Sequence, residues 1–226
     1  MESSLIRARA RENIRGNWGV SIAAALIAGL LGGLLTGSGS GSVNLDAEYM
    51  QEFPPVVISL LMAWASVSGI LGLVRFILGG TIQLGYSRFL LGQHDHRDYS
   101  FNDLFSQFDR FGTGFAQKFL RGLYVALWSL LLLIPGIVKS YSYAMTPFIL
   151  TDHPELTASQ AIDASKELMD GYKGDLFWLE LTFIGWDLLN ALTLGIGSLW
   201  LTPYKNAAHA AFYRQLLVER RNAIVE

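Results

Sequence analysis

The chain has 226 residues, 51% of them hydrophobic and 16% charged, with a net charge of −2 and no cysteine. That balance offers no basic surface for nucleic acid, no disulfide framework and no thiolate site, and it moves the expectation from a soluble domain to a membrane protein. No Asp, Glu, Lys, Arg or His falls within 16–45, 53–74, 122–138 or 188–204, and two of these gaps reach the roughly 20 apolar helical residues that a bilayer crossing needs.

Arg7, Arg9, Arg11 and Arg15 precede an apolar run from Trp18 to Leu35. The run is longer than a signal-peptide h-region of about 7 to 15 residues and closes without a small-x-small cleavage pattern, so it reads as a retained first span. Ser21, Ala25, Gly29 and Gly33 recur along it at four-residue spacing. Such a small-residue face lets a helix approach closely, whether from the same chain, a second copy or a protein partner. Thr36 to Phe53 follows, a Gly/Ser-rich linker with three acids and no Lys or Arg, which places it outside.

The second span opens at Pro54-Pro55, where proline suits a first helical turn. An unbroken helix from Val56 to Leu91 would rise about 54 Å. It must therefore tilt, break at Gly79-Gly80 or project past the inner face, with Arg75 snorkelling. Next, "SFNDLFSQFDRF" offers a capping box, Ser100 with Asp103, ahead of Phe101, Leu104, Phe105, Phe108 and Phe111. The spacing predicts an aromatic-faced helix lying along the membrane surface.

"LLLIPGIVKSYSYAMTPFIL", Leu131 to Leu150, reads as a span interrupted by Pro135-Gly136 and Lys139. Internal similarity bears on its topology. "ARENIRGNW" before the first span matches "SKELMDGYK" before the last apolar block, and "YSRFLL" after the second span matches "FYRQLL" near the end. Both pairs occur in the same order around apolar hairpins, which points to repeated units of surface helix and hairpin. Arg121 to Thr151 then crosses twice, with Ile134 ending a helix before proline and Pro135-Gly136 at the tip. "LTLGIGSLW" forms a third tip, with Gly195 and Gly197 in the turn.

The resulting expectation is an all-α polytopic membrane protein, one integral membrane domain over 1–226, with six spans and both termini inside. Its units are 1–91, 92–151 and 152–226, each a surface helix followed by a hairpin. Lys and Arg agree with the positive-inside rule: 4 precede the first span, 6 lie from Arg75 to Arg121, 2 in 152–175 and 3 after Tyr213, against Lys139 alone outside. A four-span alternative takes Arg121 to Thr151 as one bent crossing and puts the acidic 152–175 segment outside. The weak point of six spans is the fourth helix, Ile137 to Thr151, which rises only about 23 Å and contains Pro147.

Ionisable residues inside the spans are the candidate site. Glu180 and Asp187 are seven apart and share a helical face. Asp187 precedes the third tip by about as many residues as Lys205 follows it, so the two charges meet at similar depth and pairing is expected. Asn190, Asn206 and His209 are the candidate helpers. This pair reads either as a clamp on the hairpin or as a site for a polar substrate, ion or proton. His94 and His96 with Asp95 and Asp98 read as a solvated loop, since no further metal ligand stands at recognisable spacing. HExxH, GxSxG, the P-loop pattern and GxGxxG do not occur, so no cofactor, metal or catalytic residue is expected and the chain reads as a non-enzyme.

At "LLLIPGIVKSYSYAMTPFIL", "ELTASQAIDASKELMDGYKGDLFWLELTFIGWDLLNALTLGIG" and "LWLTPYKNAAHAAFY" the chain resembles the domain-of-unknown-function 975 family of bacterial integral membrane proteins, as do "ARENIRGNW" and "FNDLFSQFDRF". The resemblance implies a polytopic protein of the bacterial cytoplasmic membrane and brings no activity, cofactor or catalytic residue to transfer. Two functional expectations follow. One is binding or movement of a small polar or amphiphilic solute near Asp187 and Lys205. The other is a scaffold or envelope-homeostasis component that engages membrane lipids or protein partners.

Overall fold

The computed structural model describes residues 3–15, 17–32, 55–193 and 195–225. In chain order the helices are α1 (Ser3–Ile14), α2 (Trp18–Gly32), α3 (Pro55–His94), α4 (Phe111–Leu131), α5 (Leu133–Ser142), α6 (Thr146–Asp152), α7 (Ala158–Leu168), α8 (Lys173–Leu181), α9 (Ile184–Leu192) and α10 (Ser198–Val225). Two 3-10 turns, Phe101–Leu104 and Phe108–Arg110, join α3 to α4, and no strand occurs among the described residues. The all-α expectation holds. The linker from Thr36 to Phe53 and Gly33 of the small-residue face lie outside the described residues.

Helix α3 is the spine, packing against α2, α4, α6 and α10. It runs unbroken for 40 residues, about 60 Å, so the break considered at Gly79-Gly80 does not form. Gly80 serves a different purpose: a Cβ there would stand 1.9 Å from the Gly114 carbonyl oxygen, so the backbones of α3 and α4 touch. Gly85 performs the same service for the 3-10 turn, since its Cβ would lie 2.2 Å from the Leu104 carbonyl oxygen.

That docking explains why the predicted surface α-helix over 100–111 is replaced by 3-10 turns. The capping box forms, with the Ser100 N–H donating to Asp103 Oδ2 at 2.9 Å, but the segment is held against α3 by fully buried Leu104. Phe101, Phe105, Phe108 and Phe111 stay exposed.

The second hairpin turns three residues earlier than predicted. Leu132 is extended (φ −156°, ψ 138°) between α4 and α5, and Pro135 sits in the first turn of α5, where an amide donor has no intrahelical partner to lose. A Cβ on Gly136 would fall 2.1 Å from Ser129 Oγ. Residues seven apart on one helix are about 10 Å apart along its axis, so this contact requires the chain to reverse between α4 and α5. The third tip forms as predicted. Gly195 adopts φ +88°, its N–H donates to the Asn190 carbonyl at 2.9 Å, and the Gly197 N–H donates to Thr193 Oγ1 at 3.2 Å.

Two apolar stretches are interrupted in the middle: α5 gives way to α6 at Tyr143–Met145, and α8 to α9 at Thr182-Phe183. Side-chain hydroxyls accompany the interruptions. Ser165 Oγ donates to the Ser142 carbonyl at 2.8 Å, Thr146 Oγ1 to Tyr143 at 2.9 Å and Thr182 Oγ1 to Leu179 at 2.6 Å. Buried backbone acceptors are thus satisfied where the helical ladder is disturbed.

The predicted small-residue face is used within the chain. Ser21, Ala24, Ala25 and Ala28 are buried where α2 packs on α3 and α10, and Gln93 Nε2 of α3 donates to Ser21 Oγ at 2.8 Å. Helix α1 lays Ile6, Ala10 and Ile14 against α10. Helix α7 starts with a Thr157/Gln160 capping box and buries Ala158, Ala161, Ile162 and Ser165. Arg220 of α10 donates to the Glu167 and Asp170 carbonyls at 2.7 and 2.6 Å, holding the end of α7.

Burial is uneven. Ile82 to Leu91, Tyr143 to Leu150 and Ala207 to Leu216 supply most of the core, whereas large apolar side chains are uncovered at the hairpin ends. Leu130 is 86% exposed and Ile134 75%, and Leu192, Ile196 and Trp200 behave alike, as do Ile70 and Leu73 on α3. Gly69–His94 is long and apolar enough to cross a membrane.

At the core end, Arg214 ties three segments. It donates to Asp95 Oδ1 and Oδ2 at 2.9 and 2.6 Å and to Asp152, while Arg97 also pairs with Asp95. Burial alone would raise the Asp95 pKa, but the hydrogen bonds and charge of Arg214, with those of Arg97, outweigh it and hold the carboxyl below the usual aspartate value.

Two outcomes follow. Gly80→Ala should lower the thermal unfolding midpoint by the equivalent of on the order of 1–3 kcal/mol, the usual cost of overpacking, whereas Gly122→Ala, with open space at its Cβ, should leave it unchanged or slightly raised. Because folded Asp95 holds its proton more weakly than the unfolded chain does, its contribution is complete above the ordinary pKa of about 3.9 and fades as pH falls from there toward the lower folded value. A stability profile from pH 7 to 3 should show that acid-side loss, and Asp95→Asn should flatten it.

Candidate functional site

The interruptions in the fourth and fifth apolar stretches meet. Tyr141, at the end of α5, donates its hydroxyl to Glu180 Oε2 at 2.5 Å and packs edge-on against Phe177. His209 of α10 brings Nε2 to 3.4 Å from the other Glu180 oxygen. Beyond the Thr182-Phe183 break, Lys205 Nζ donates to both Asp187 oxygens at 2.6 Å. The two clusters share one cavity of about 370 Å³, walled by Tyr141, Phe177, Glu180, Asp187, Lys205 and His209. Glu180 and Asp187 reach it from separate helices rather than from one continuous face, since α8 ends at Leu181 and α9 begins at Ile184.

The expected helpers divide. His209 joins through Glu180, not through the Asp187–Lys205 pair. Asn206 turns to α3, its Nδ2 donating to the Tyr86 hydroxyl at 3.3 Å. Asn190 belongs elsewhere: its Oδ1 packs near Gly197, has no hydrogen-bond partner among the described residues, and lines an aromatic groove of about 490 Å³ with Trp18, Trp186 and Trp200. The predicted grouping around one ion pair is therefore two polar clusters and an outlier. The helix break at Thr182-Phe183 puts Glu180 and Asp187 on separate helices.

A second cavity of about 240 Å³ adjoins the first and shares Tyr141, Glu180 and His209 with it. It adds Gln83, Tyr86 and Ser87 of α3, Arg121 of α4 and Asn206 of α10. In the sequence Arg121 stands only as a cation flanking an apolar run. The one signal available for Arg121 was its place just before the uncharged run from Gly122 to Val138.

His94 and Asp95 have found structural partners. His94 Nδ1 lies 2.7 Å from Asn13 Nδ2, and Asp95 is engaged by Arg214.

Residues 129–220 match the family model described as protein of unknown function (DUF975). Through this stretch the chain is similar to the DUF975 family. The DUF975 segment runs from the end of α4 into the second half of α10 and contains Tyr141, Glu180, Asp187, Lys205, Asn206 and His209, whereas Tyr86 and Arg121 come from the preceding part of the chain. No curated protein and no solved structure matches the chain.

Removing one member of the Asp187–Lys205 pair leaves a charge among the apolar side chains of α9. Asp187→Asn or Lys205→Met should each lower stability by on the order of 1–3 kcal/mol, the cost of an orphaned polar group. The double change should recover most of the loss, and thermal unfolding of the four purified proteins checks the cycle.

Proposed function

We propose that this protein is a multi-pass α-helical protein of the bacterial cytoplasmic membrane, with six crossings and both termini cytoplasmic, and that it binds or passes a small polar or amphiphilic solute through the joined cavities between its second and third hairpins. The observation that carries the reading is a polar cavity, walled by Tyr141, Glu180, Asp187, Lys205 and His209, set among hairpin ends whose large apolar side chains are uncovered. An apolar surface of that kind is costly in water and natural in hydrocarbon, where ionisable groups mark binding sites or pathways. Interrupted helices flanking the cavity support the same view, because discontinuous helices commonly form solute sites in membrane proteins. The resemblance to DUF975 proteins supports the bacterial membrane.

The reading includes no chemical step, and no cofactor is part of it. A scaffold role receives less support, since Ser21 and Ala25 already pack inside the chain.

The absence of cysteine permits a direct test. In sealed right-side-out vesicles Ser198→Cys at the third tip should react with an impermeant thiol reagent, and Ser100→Cys and Ser159→Cys should react only after permeabilisation. Labelling of Ser159→Cys from outside would overturn the six-crossing topology. Ser140→Cys, on the smaller cavity, should react with a small charged methanethiosulfonate, and failure to react would overturn the solvated cavity.

A further inference from the structure

Arg121 is half-buried and lines the smaller cavity. No hydrogen bond or ion pair reaches its guanidinium among the described residues. A guanidinium carries five donors, and an uncompensated one in an apolar setting is among the most costly groups a protein can hold. The cavity's own carboxylate does not compensate it: both oxygens of Glu180 are engaged by Tyr141 and His209. Lys118, one turn earlier on α4, donates to the Arg75 carbonyl at 3.2 Å.

Around Arg121 the other walls offer donors. The Tyr86 hydroxyl accepts from Asn206, which leaves its own O–H to give, and Gln83 contributes an amide. We propose that this cavity binds an anionic group, a phosphate or carboxylate, with Arg121 as counter-charge and Tyr86 and Gln83 as neutral donors. This rests on the reading of the joined cavities as a solute site.

The planar fork of arginine suits both oxyanions and grips them bidentately. A volume of about 240 Å³ is below the roughly 300 Å³ at which drug-sized pockets begin, so the bound part is compact. It is a free small anion or the head of an amphiphile whose chain leaves along the apolar helix surfaces.

The test is thermal unfolding of the full-length protein in a non-ionic detergent, titrated with dodecyl phosphate, dodecylphosphocholine, inorganic phosphate and acetate. Dodecyl phosphate should raise the midpoint saturably at concentrations where the zwitterionic dodecylphosphocholine does not. Arg121→Gln should weaken that response about tenfold or more, and Arg121→Lys should retain part of it. Should Arg121→Gln fail to fold, Tyr86→Phe keeps the packing, removes one donor and should weaken the response several-fold. Stabilisation by inorganic phosphate or acetate alone identifies a free anion as sufficient. Stabilisation by dodecyl phosphate only identifies an amphiphile head. Equal responses to phosphate and phosphocholine heads with no effect of Arg121→Gln, or no response to any probe, would overturn the anion assignment while a reactive Ser140→Cys leaves the solvated cavity standing. An unreactive Ser140→Cys removes the cavity itself.

Discussion

The contact on which the rest of the fold depends is the close approach of α3 and α4 at Gly80 and Gly114. Helix axes usually lie 8–10 Å apart, with the distance set by the side chains between them. Where that side chain is a hydrogen atom, the backbones meet and the neighbouring positions are brought into register. Here that places Gln83 and Tyr86 of α3 opposite Arg121 of α4 around one cavity. Five residues after Gly80, Gly85 seats the 3-10 turn that feeds α4. A single long helix thus sets both where the second hairpin begins and how near it stands.

Several polar groups enclosed by helices find partners from another segment. Ser142 and Ser165, Tyr141 and Glu180, and Asn206 and Tyr86 are such pairs. Arg214 with Asp95 and Asp152 is the same solution in charged form. Breaking one partner of a buried pair costs more than the pair contributes, so these contacts specify which segments belong together more than they add stability. Arg121 differs from them in being a donor-rich cation without a recipient among the described residues that lines a cavity, which is why the proposed ligand is placed there.

The internal resemblance has a structural counterpart. Arg88 of "YSRFLL" and Arg214 of "FYRQLL" each pair with acids from other segments, Arg88 with Asp103 at 3.3 Å and Arg214 with Asp95 and Asp152. Helices α1 and α7, which precede the first and third hairpins, each bury one apolar or small-residue face. The middle unit departs from this scheme, since its leading segment is flattened into 3-10 turns by contact with Gly85.

Much of this was legible in the residues because the signals are local. Charge-free runs, the turn glycine at Gly195, the capping residues Ser100 and Thr157 and the equal distances of Asp187 and Lys205 from one tip all act within a helix or a hairpin, so they can be read before anything packs. What depended on tertiary structure was set by contacts between distant segments. Pro135 was absorbed into a helix because Leu132 turned first, Gly80 became a contact and not a break because Gly114 lies against it, and Glu180 and Asp187 came to separate helices because α9 begins anew after Phe183. Arg121 was visible in the sequence only as one cation among seventeen. Its isolation is a property of everything that surrounds it, and only the packing of α3, α4 and α10 around one cavity decides that.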